Sequence, residues 1–172
     1  MGSDRHAIFL NGPIGSGKTT LGQGVAQRLG AGFIDGDDYS DPNRPWYCSI
    51  HTTSKAIVRT SLAALKERRA VVVAYPLGCA QWIYFRRCLS DAGVRTRFVS
   101  LRACYSSIVA PHRNRNFSSQ ERQRIKAMIA EGYGERGFSD LVFDTDRQAF
   151  ALTLDNLEAA IRALIASPTD MT

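Results

Sequence analysis

The stretch that most constrains this chain is a glycine-rich segment near its beginning, GPIGSGKTT, which occupies residues 12–20. An apolar run at residues 7–10 precedes it, as in a buried strand, and apolar residues follow it at helical spacing, at Leu21, Val25, Ala26 and Leu29. Glycine reaches positive φ angles and leaves no side chain in the way of a close approach. The segment therefore predicts a strand, a tight loop and a helix in direct succession.

The spacing within this loop is typical of a phosphate-binding loop. The pattern G-x-x-x-x-G-K-[ST] is met by Gly12, Gly17, Lys18 and Thr19. In such loops backbone N–H groups and the start of the following helix surround phosphates, the lysine reaches the β and γ phosphates, and the hydroxyl binds Mg²⁺. An ordinary strand-to-helix turn with chance glycines is the alternative. We expect ATP and Mg²⁺ as cofactors, with contacts from Gly12, Gly15, Ser16, Gly17, Lys18, Thr19 and Thr20.

Size and composition fit a single domain that spans residues 1–172. A chain of 172 residues can bury a core without disulfides or a structural metal. Its 44% hydrophobic and 22% charged residues are ordinary for a soluble protein. The longest apolar run, at residues 70–78, is about half the length that spans a bilayer, and no charged-then-apolar leader opens the chain. We expect a cytoplasmic protein without a membrane partner, either a monomer or a homodimer.

The charge balance favours anionic ligands. The net charge is +6, but the basic residues are spread along the chain, and the tightest cluster lies at residues 113–124. The sequence has no RNA-binding aromatic motif, helix-turn-helix signature or basic tail. We therefore expect small anionic molecules rather than nucleic acid as partners.

The four cysteines show no pattern of a metal site. Cys48, Cys79, Cys88 and Cys104 include no C-x-x-C pair, and no histidine stands at zinc-finger spacing. We expect free thiols that are mostly buried.

Strand-like and helix-like segments alternate along the whole chain. Strands are predicted at about residues 7–10, 32–34, 70–75, 96–101 and 140–144, and helices near 18–29, 52–69, 80–92, 103–111, from 119, and 149–166. Apolar strands separated by helices predict a parallel sheet covered on both faces, which is a three-layer α/β fold. Ser118 and Glu121 form the pattern of a capping box, which places a helix start directly after Phe117.

Two aspartates flank Gly36 where the second strand should end. Because ligands of open α/β sheets bind at the carboxyl ends of strands, Asp35 and Asp37 could serve Mg²⁺ and a substrate hydroxyl. A polar turn is the alternative. The third strand-like run ends in YPLG without a carboxylate, which argues against motor and switch-type NTPases and leaves the acidic role to this pair.

Basic and aromatic residues elsewhere are candidates for a lid and an acceptor site. Arg113 and Arg115 alternate in a loop before the capped helix, so they could close over a nucleotide and neutralise a transferring phosphoryl group, in a lid at about residues 112–120. A solvated basic face is the alternative. The acceptor candidates are Arg44, Trp46, Tyr47, Arg86 and Arg87. Core packing is favoured for Trp82, Tyr84 and Phe85.

Taken together, these residues resemble the small P-loop kinases of the shikimate kinase and gluconate kinase group. The resemblance rests on GPIGSGKTTLGQGVAQRLG, the D-x-D of FIDGDD, the arginine-rich lid and the last strand FSDLVFDTD, and it covers most of the chain. FIDGDD followed by DP is closest to the gluconate kinases.

The resemblance implies a five-stranded parallel sheet of order 2-3-1-4-5, a short lid and an acceptor region after the second strand. It also implies roles for individual residues. Lys18 and Thr19 would bind phosphates and Mg²⁺, Asp35 would support the metal through water, and Asp37 would orient or deprotonate the acceptor hydroxyl. Arg113 and Arg115 would be the lid arginines, and residues 144–147 would lie near the adenine.

Both acceptor patterns of that group are altered here. Shikimate kinases carry a glycine triplet after the third strand, where this chain has AYPLG. Gluconate kinases carry a histidine before the proline and a basic residue in the loop after the third strand, where this chain has Asp41 and Gly78. The sequence thus predicts a kinase for a hydroxyl of a small polar metabolite or antibiotic, with an ATP-binding regulatory or assembly protein as the alternative.

Overall fold

Five parallel strands form the centre of the molecule. The computed structural model describes residues 4–41, 43–113 and 115–167, except for the side chains of Trp46 and His112. The strands are β1 Arg5–Asn11, β2 Gly32–Asp35, β3 Ala70–Ala74, β4 Val94–Arg102 and β5 Leu141–Asp144. They lie in the order β2-β3-β1-β4-β5, and each neighbouring pair is parallel. The predicted three-layer α/β fold and its strand order are confirmed.

Helices connect the strands and cover both faces of the sheet. They are α1 Lys18–Leu29, α2 Trp46–Ala64, α3 Cys79–Asp91, α4 Tyr105–Ile108, α5 Ser119–Ala130 and α6 Phe150–Ala166. Two of them differ from the sequence prediction. Helix α2 begins and ends about one turn or more before the predicted bounds. It begins early because Pro45 suits the start of a helix, where a missing N–H breaks no hydrogen bond. Helix α4 has only 4 residues, and a 3-10 turn at Pro111–Arg113 follows it.

Alternate residues of β1 enter two separate cores, as the period of a strand requires. Ala7 and Phe9 belong to the core beneath α2 and α3, whereas Ile8 and Leu10 belong to the core beneath α1 and α6. The Phe9 ring stacks on Phe85 at 4.8 Å between ring centres and on Phe98 at 5.2 Å. These cores hold the carboxyl ends of the strands in a fixed arrangement.

A third, smaller core connects the glycine-rich loop to the lid region. Its buried members are Ala103, Ile108, Phe117 and Ile125, and Ile14 of the loop packs against them. The capping box is confirmed, since Ser118 Oγ accepts from the N–H of Glu121 and a Glu121 carboxylate oxygen accepts from the N–H of Ser118. The segment before α5 is thereby anchored next to the loop.

The cysteines are free, but the prediction that they are mostly buried is wrong. Cys48, Cys79 and Cys104 are exposed, and Cys88 is half-buried. Each of the exposed three lies in the first turn or at the N-cap of a helix, where the chain emerges at the surface. Within residues 4–41, 43–113 and 115–167, no helix combines the length and the apolar character needed to cross a bilayer.

Candidate active site

The loop between β1 and α1 forms a cradle that only glycine permits. Gly15 has a φ of 79°, and a Cβ atom on it would lie 2.6 Å from Ile108 Cγ2. Gly17, with a φ of 97°, is the left-handed N-cap of α1. The loop therefore exposes backbone N–H groups at the positive end of a helix, which is the arrangement that binds phosphate. The residues of this loop fit the phosphates of a nucleoside triphosphate.

Lys18 lies folded back over this loop. Its Nζ donates to the carbonyl oxygens of Gly12, at 2.9 Å, and Pro13, at 2.8 Å. Burial lowers the pKa of Lys18 to about 8, against the opposing effect of the nearby Asp37 and Asp35 carboxylates. An arriving anion would stabilise the ammonium form and reverse that shift.

Thr19 and Asp35 meet at the end of β2. Thr19 Oγ1 donates to Asp35 Oδ2 at 2.7 Å, and Asp35 Oδ1 accepts from the N–H of Asp37 at 3.1 Å. The second bond caps a 3-10 turn at Gly36–Tyr39, which orients the Asp37 side chain. A hydroxyl and a carboxylate are oxygen ligands of the kind that Mg²⁺ prefers, so the pair fits this ion.

Asp37 lies on the boundary between two pockets. The loop pocket has a volume of about 360 Å³ and lies against Gly15, Gly17, Lys18, Thr19 and Thr20. The strand-end pocket, of about 580 Å³, lies against the carboxyl ends of β2 and β3 and against α5. Both pockets are lined by Lys18 and Asp37. Desolvation, followed by the charge of Asp35, raises the pKa of Asp37 above its ordinary value, although the side chain is still open to solvent on one side.

Both arginines predicted to belong to a lid, Arg113 and Arg115, line the loop pocket. Arg113 Nη1 donates to the carbonyl oxygen of Gly15 at 3.0 Å. The Arg115 guanidinium lies 4.8 Å from the centre of the Phe117 ring and 4.0 Å from a Glu121 carboxylate oxygen. The structure therefore brings together the four predicted catalytic residues, Lys18, Asp37, Arg113 and Arg115. Asn114 and the His112 side chain, which belong to the predicted lid, lie outside the described residues.

Two of the predicted acceptor residues, Arg44 and Arg86, have their contacts outside the two pockets. Arg44 is exposed and pairs with Asp41 at 3.5 Å, and Arg86 lies 5.6 Å from the centre of the Trp82 ring. Neither lines the loop pocket or the strand-end pocket as these are described. Trp46 begins α2, and its side chain lies outside the described set. A role for these residues in acceptor binding stays a prediction.

Sequence reasoning missed most of the strand-end pocket. Among its lining side chains are Tyr75, Gln81, Gln123, Arg124, Met128 and Tyr133. Tyr75 carries a usable signal, because it directly follows β3 and thus stands at a carboxyl strand end. The α5 residues carry none, because their position depends on how α5 packs over the sheet.

Asn11, the last residue of β1, joins the walls of this pocket and was also missed. It is fully buried, its Oδ1 accepts from the N–H of Leu77 at 2.7 Å, and its Nδ2 donates to the Tyr133 carbonyl at 2.7 Å. The same Nδ2 donates to Ser100 Oγ at 3.1 Å. One amide side chain thereby fixes the segment after β3 and the segment after α5.

A further pocket lies beyond the loop, beside residues 144–147. It is lined by Arg102, Cys104, Asp144, Asp146 and Arg147, and Arg102 Nε donates to Asp144 Oδ1 at 2.6 Å. Thr145 Oγ1 donates to the carbonyl of Ser16 at 3.0 Å, which connects this segment to the loop. The adenine position implied by the resemblance thus adjoins the phosphate cradle.

The sheet order and the glycine-rich loop between β1 and α1 define the fold of the small P-loop kinases. The structure is similar to that of a gluconokinase from Sinorhizobium meliloti 1021, with a TM-score of 0.72 and 22% identity over 93% of each chain. At that identity the similarity shows a common fold. No family model matches the chain.

Curated proteins similar in sequence are shikimate kinases. The chain is 52% identical to the enzyme of Psychrobacter cryohalolentis over 33 residues, which is 19% of this chain and 18% of that protein. It is 31% identical to the enzyme of Shewanella sediminis over 98 residues, 54% of this chain and 57% of that protein. The matches thus span from about a fifth to just over half the length of these relatives. The resemblance to the shikimate kinase and gluconate kinase group is confirmed.

Proposed function

We propose that this chain is an ATP- and Mg²⁺-dependent phosphotransferase that acts on a hydroxyl group of a small polar molecule. The observation that carries the proposal is the position of Asp37, whose carboxylate borders both the loop pocket and the strand-end pocket. A carboxylate between a phosphate cradle and a second cavity of about 580 Å³ is placed to act on an acceptor.

In this proposal the loop holds the nucleotide. Gly12, Gly15, Ser16 and Gly17 provide the backbone cradle, Thr20 lies at the start of α1, and Lys18 exchanges its two carbonyl partners for phosphate oxygens. Such an exchange is favourable, because a buried ammonium gains more from an anion than from neutral carbonyls.

Thr19 and Asp35 would hold Mg²⁺, either directly or through water. The ion would supply charge neutralisation at the terminal phosphates. Asp35 would keep its bond to the N–H of Asp37, so the metal-side carboxylate would also fix the turn that carries Asp37.

The acceptor enters from the strand-end pocket. Its hydroxyl oxygen forms a bond to the γ-phosphorus, the bond from that phosphorus to the β–γ bridging oxygen breaks, and ADP leaves. Asp37 accepts the hydroxyl proton. The raised pKa of Asp37 makes this carboxylate a stronger base than an ordinary aspartate, and its proximity to Lys18 keeps the hydroxyl next to the phosphate site.

Arg113 and Arg115 stabilise charge on the transferring group. Both line the loop pocket, and the segment that carries them is anchored through Phe117 and the α5 capping box. Guanidinium groups held in place beside the transferring group stabilise developing charge more strongly than mobile solvent does.

Within the part of the chain that the structure describes, no specific observation favours the alternative, an ATP-binding regulatory or assembly protein. A screen of ADP release over sugar acids, polyols, shikimate, nucleosides and aminoglycosides, each against an acceptor-free control, tests the proposal. We expect ADP release to depend on an added acceptor. ADP release that is equal with and without every acceptor, in a protein that binds ATP, would contradict it.

A further inference from the structure

We infer that the strand-end pocket selects an electrically neutral acceptor with an apolar edge, rather than a sugar acid or another carboxylate. The inference rests on the proposed function, because it names the class of molecule that Asp37 would activate. The pocket lies in the region where the sequence departs from the acceptor patterns of both the shikimate kinases and the gluconate kinases.

Charge is distributed unequally between the two pockets. In the loop pocket three cations, Lys18, Arg113 and Arg115, face the carboxylates of Asp37 and Glu121. In the strand-end pocket the cations among the described lining residues are Lys18 and Arg124, and the same two carboxylates face them. The loop pocket therefore has an excess of positive charge, whereas the strand-end pocket has none.

The two cations of the strand-end pocket are already engaged. Lys18 Nζ donates to the loop carbonyls of Gly12 and Pro13, and Arg124 Nη1 lies 3.5 Å from Glu131 Oε1. Once ATP is bound, Lys18 would donate its hydrogen bonds to the phosphate oxygens. Tight recognition of a carboxylate commonly uses an arginine that donates two parallel hydrogen bonds, and an acidic acceptor here would instead lie near the carboxylate of Asp37, whereas Glu121 is held by the N–H of Ser118 and lies beside Arg115. Like charges in a partly desolvated pocket repel strongly, so an acid is disfavoured.

Neutral hydrogen-bonding groups take the place of the missing cations. Gln81 Oε1 accepts from the N–H of Gly78 at 3.1 Å, so the two N–H donors of its amide are left for a ligand. Ser40 and Gln123 also line the pocket. Tyr75 is a protonated phenol at neutral pH, as any tyrosine of ordinary pKa is, and burial raises its pKa further, to about 12. Such groups match hydroxyls, ethers and amides.

Apolar side chains form the rest of the wall. They are Ile14, Ile50, Pro76 and Met128, and the rings of Tyr75 and Tyr133 also line the pocket. A volume of about 580 Å³ lies within the range of about 300–1,000 Å³ that is usual for small-molecule sites. The pocket therefore suits a polyhydroxylated or glycosidic molecule with one apolar side.

The test compares acceptors that differ in charge and little else. The pairs are gluconate with glucitol, glucuronate with glucose, and shikimate with its methyl ester, each assayed for ADP release and for the phosphorylated product at neutral pH. In every pair that shows turnover, we expect kcat/KM of the neutral member to exceed that of the acid by about tenfold or more, which corresponds to about 1.4 kcal/mol. Equal or better use of the acid would overturn the inference.

A charge added to the wall gives a second, independent readout. Gln123→Arg should raise the ratio of acid to neutral kcat/KM by about tenfold, because it supplies the missing cation. Gln27→Arg, which adds the same charge at an exposed position outside both pockets, should leave the ratio unchanged. An unchanged ratio in a folded Gln123→Arg protein would overturn the inference.

The outcomes also separate this inference from the proposed function. Turnover of acids alone would overturn the neutral acceptor and leave the kinase in place. The kinase assignment, and the acceptor class with it, would be overturned by a wild-type protein that binds ATP but shows no acceptor-dependent ADP release. This result must hold for every member of the pairs and for every compound of the wider screen.

Discussion

Thr19 Oγ1 donates a 2.7 Å hydrogen bond to Asp35 Oδ2, which joins the first turn of α1 to the end of β2. The same carboxylate accepts from the N–H of Asp37 through its other oxygen. Two residues that are 16 positions apart thereby connect the phosphate loop to the turn that presents the proposed base. A substitution at Thr19 or Asp35 should therefore also affect the position of Asp37.

Thr19→Val keeps the shape of the side chain and removes its hydroxyl. We expect ATP affinity with Mg²⁺ to fall by about tenfold or more, whereas affinity without Mg²⁺ should change little, because the loss is confined to a proposed metal ligand. Titration of ATP in both conditions measures this. Thr52→Val, at an exposed threonine of α2 outside both pockets, is the matched control. Equal losses with and without Mg²⁺ would contradict the metal role.

Lys18→Met should stabilise the nucleotide-free protein while it weakens ATP binding. The folded pKa of Lys18 is about 8, below the ordinary lysine value of 10.5, so burying the charged ammonium costs stability at neutral pH. Between about pH 8 and 10.5 Lys18 is more protonated in the unfolded chain than in the folded one. The free energy of unfolding of the wild type therefore rises as pH increases from about 8 to 10.5.

Denaturant unfolding at a series of pH values checks this. We expect Lys18→Met to exceed the wild type by about 2 kcal/mol near neutral pH, with the gap narrowing as pH rises through that interval. Lys66→Ala, at an exposed lysine outside both pockets, is the control for general charge effects. A Lys18→Met protein that is folded and binds ATP as the wild type does would contradict the phosphate-binding role.

Asn11→Ala should destabilise the fold and disturb the strand-end pocket. It leaves the buried N–H of Leu77 and the Tyr133 carbonyl without this partner, at a cost of about 1–3 kcal/mol for each group. Thermal or denaturant unfolding measures the loss, and Asn156→Ala, at an exposed asparagine, should change stability little. Wild-type stability of Asn11→Ala would show that these bonds contribute nothing net.

The phosphate half of the site was predictable because its chemistry is local in sequence. Gly12 to Thr20 are consecutive, and Asp35 and Asp37 flank one glycine at a strand end, so spacing alone indicated their proximity. The strand order also followed, through the resemblance to known kinases. These parts depend on short-range pattern and on the geometry common to parallel sheets.

The acceptor half was not predictable in the same way. Tyr75, Gln81 and Gln123 come from three segments that meet only through the packing of α3 and α5. Arg86 was predicted to bind the acceptor because of its residue type. Its guanidinium instead lies over the Trp82 ring, on the exposed face of α3. Which side of a helix faces a pocket depends on tertiary packing, and a charged residue type does not report it.

Arg113→Ala and Arg115→Ala should lower kcat more than they raise KM for ATP. Both guanidinium groups line the loop pocket, and a group that acts on the transition state affects turnover more than ground-state binding. The more important of the two should cost about 10³-fold in kcat. Steady-state kinetics separate the two constants, with Arg59→Ala, an exposed arginine of α2, as control. Unchanged turnover in both variants would leave this segment as a solvated basic face.

Asp37→Asn separates a kinase from a protein that only binds ATP. The variant keeps the size of the side chain and its place at the 3-10 turn, but it loses the negative charge and the basicity. In the proposed function the loop and Lys18 hold the phosphates, so we expect ATP affinity to stay nearly unchanged. Acceptor-dependent turnover should fall by a factor of about 10² to 10⁴, the range of a positioned general base.

The pH profile gives the proposed base a signature that a structural role would not produce. Because the folded pKa of Asp37 is raised, kcat/KM of the wild type should fall on the acid side at a pH above the ordinary range of aspartate, as Asp37 becomes protonated. In Asp37→Asn this acid limb should disappear along with most of the activity. Asp38→Asn, one residue further along the same turn, should keep both the activity and the limb. Full acceptor-dependent activity in Asp37→Asn would exclude the base, and loss of ATP binding instead would assign Asp37 to the metal.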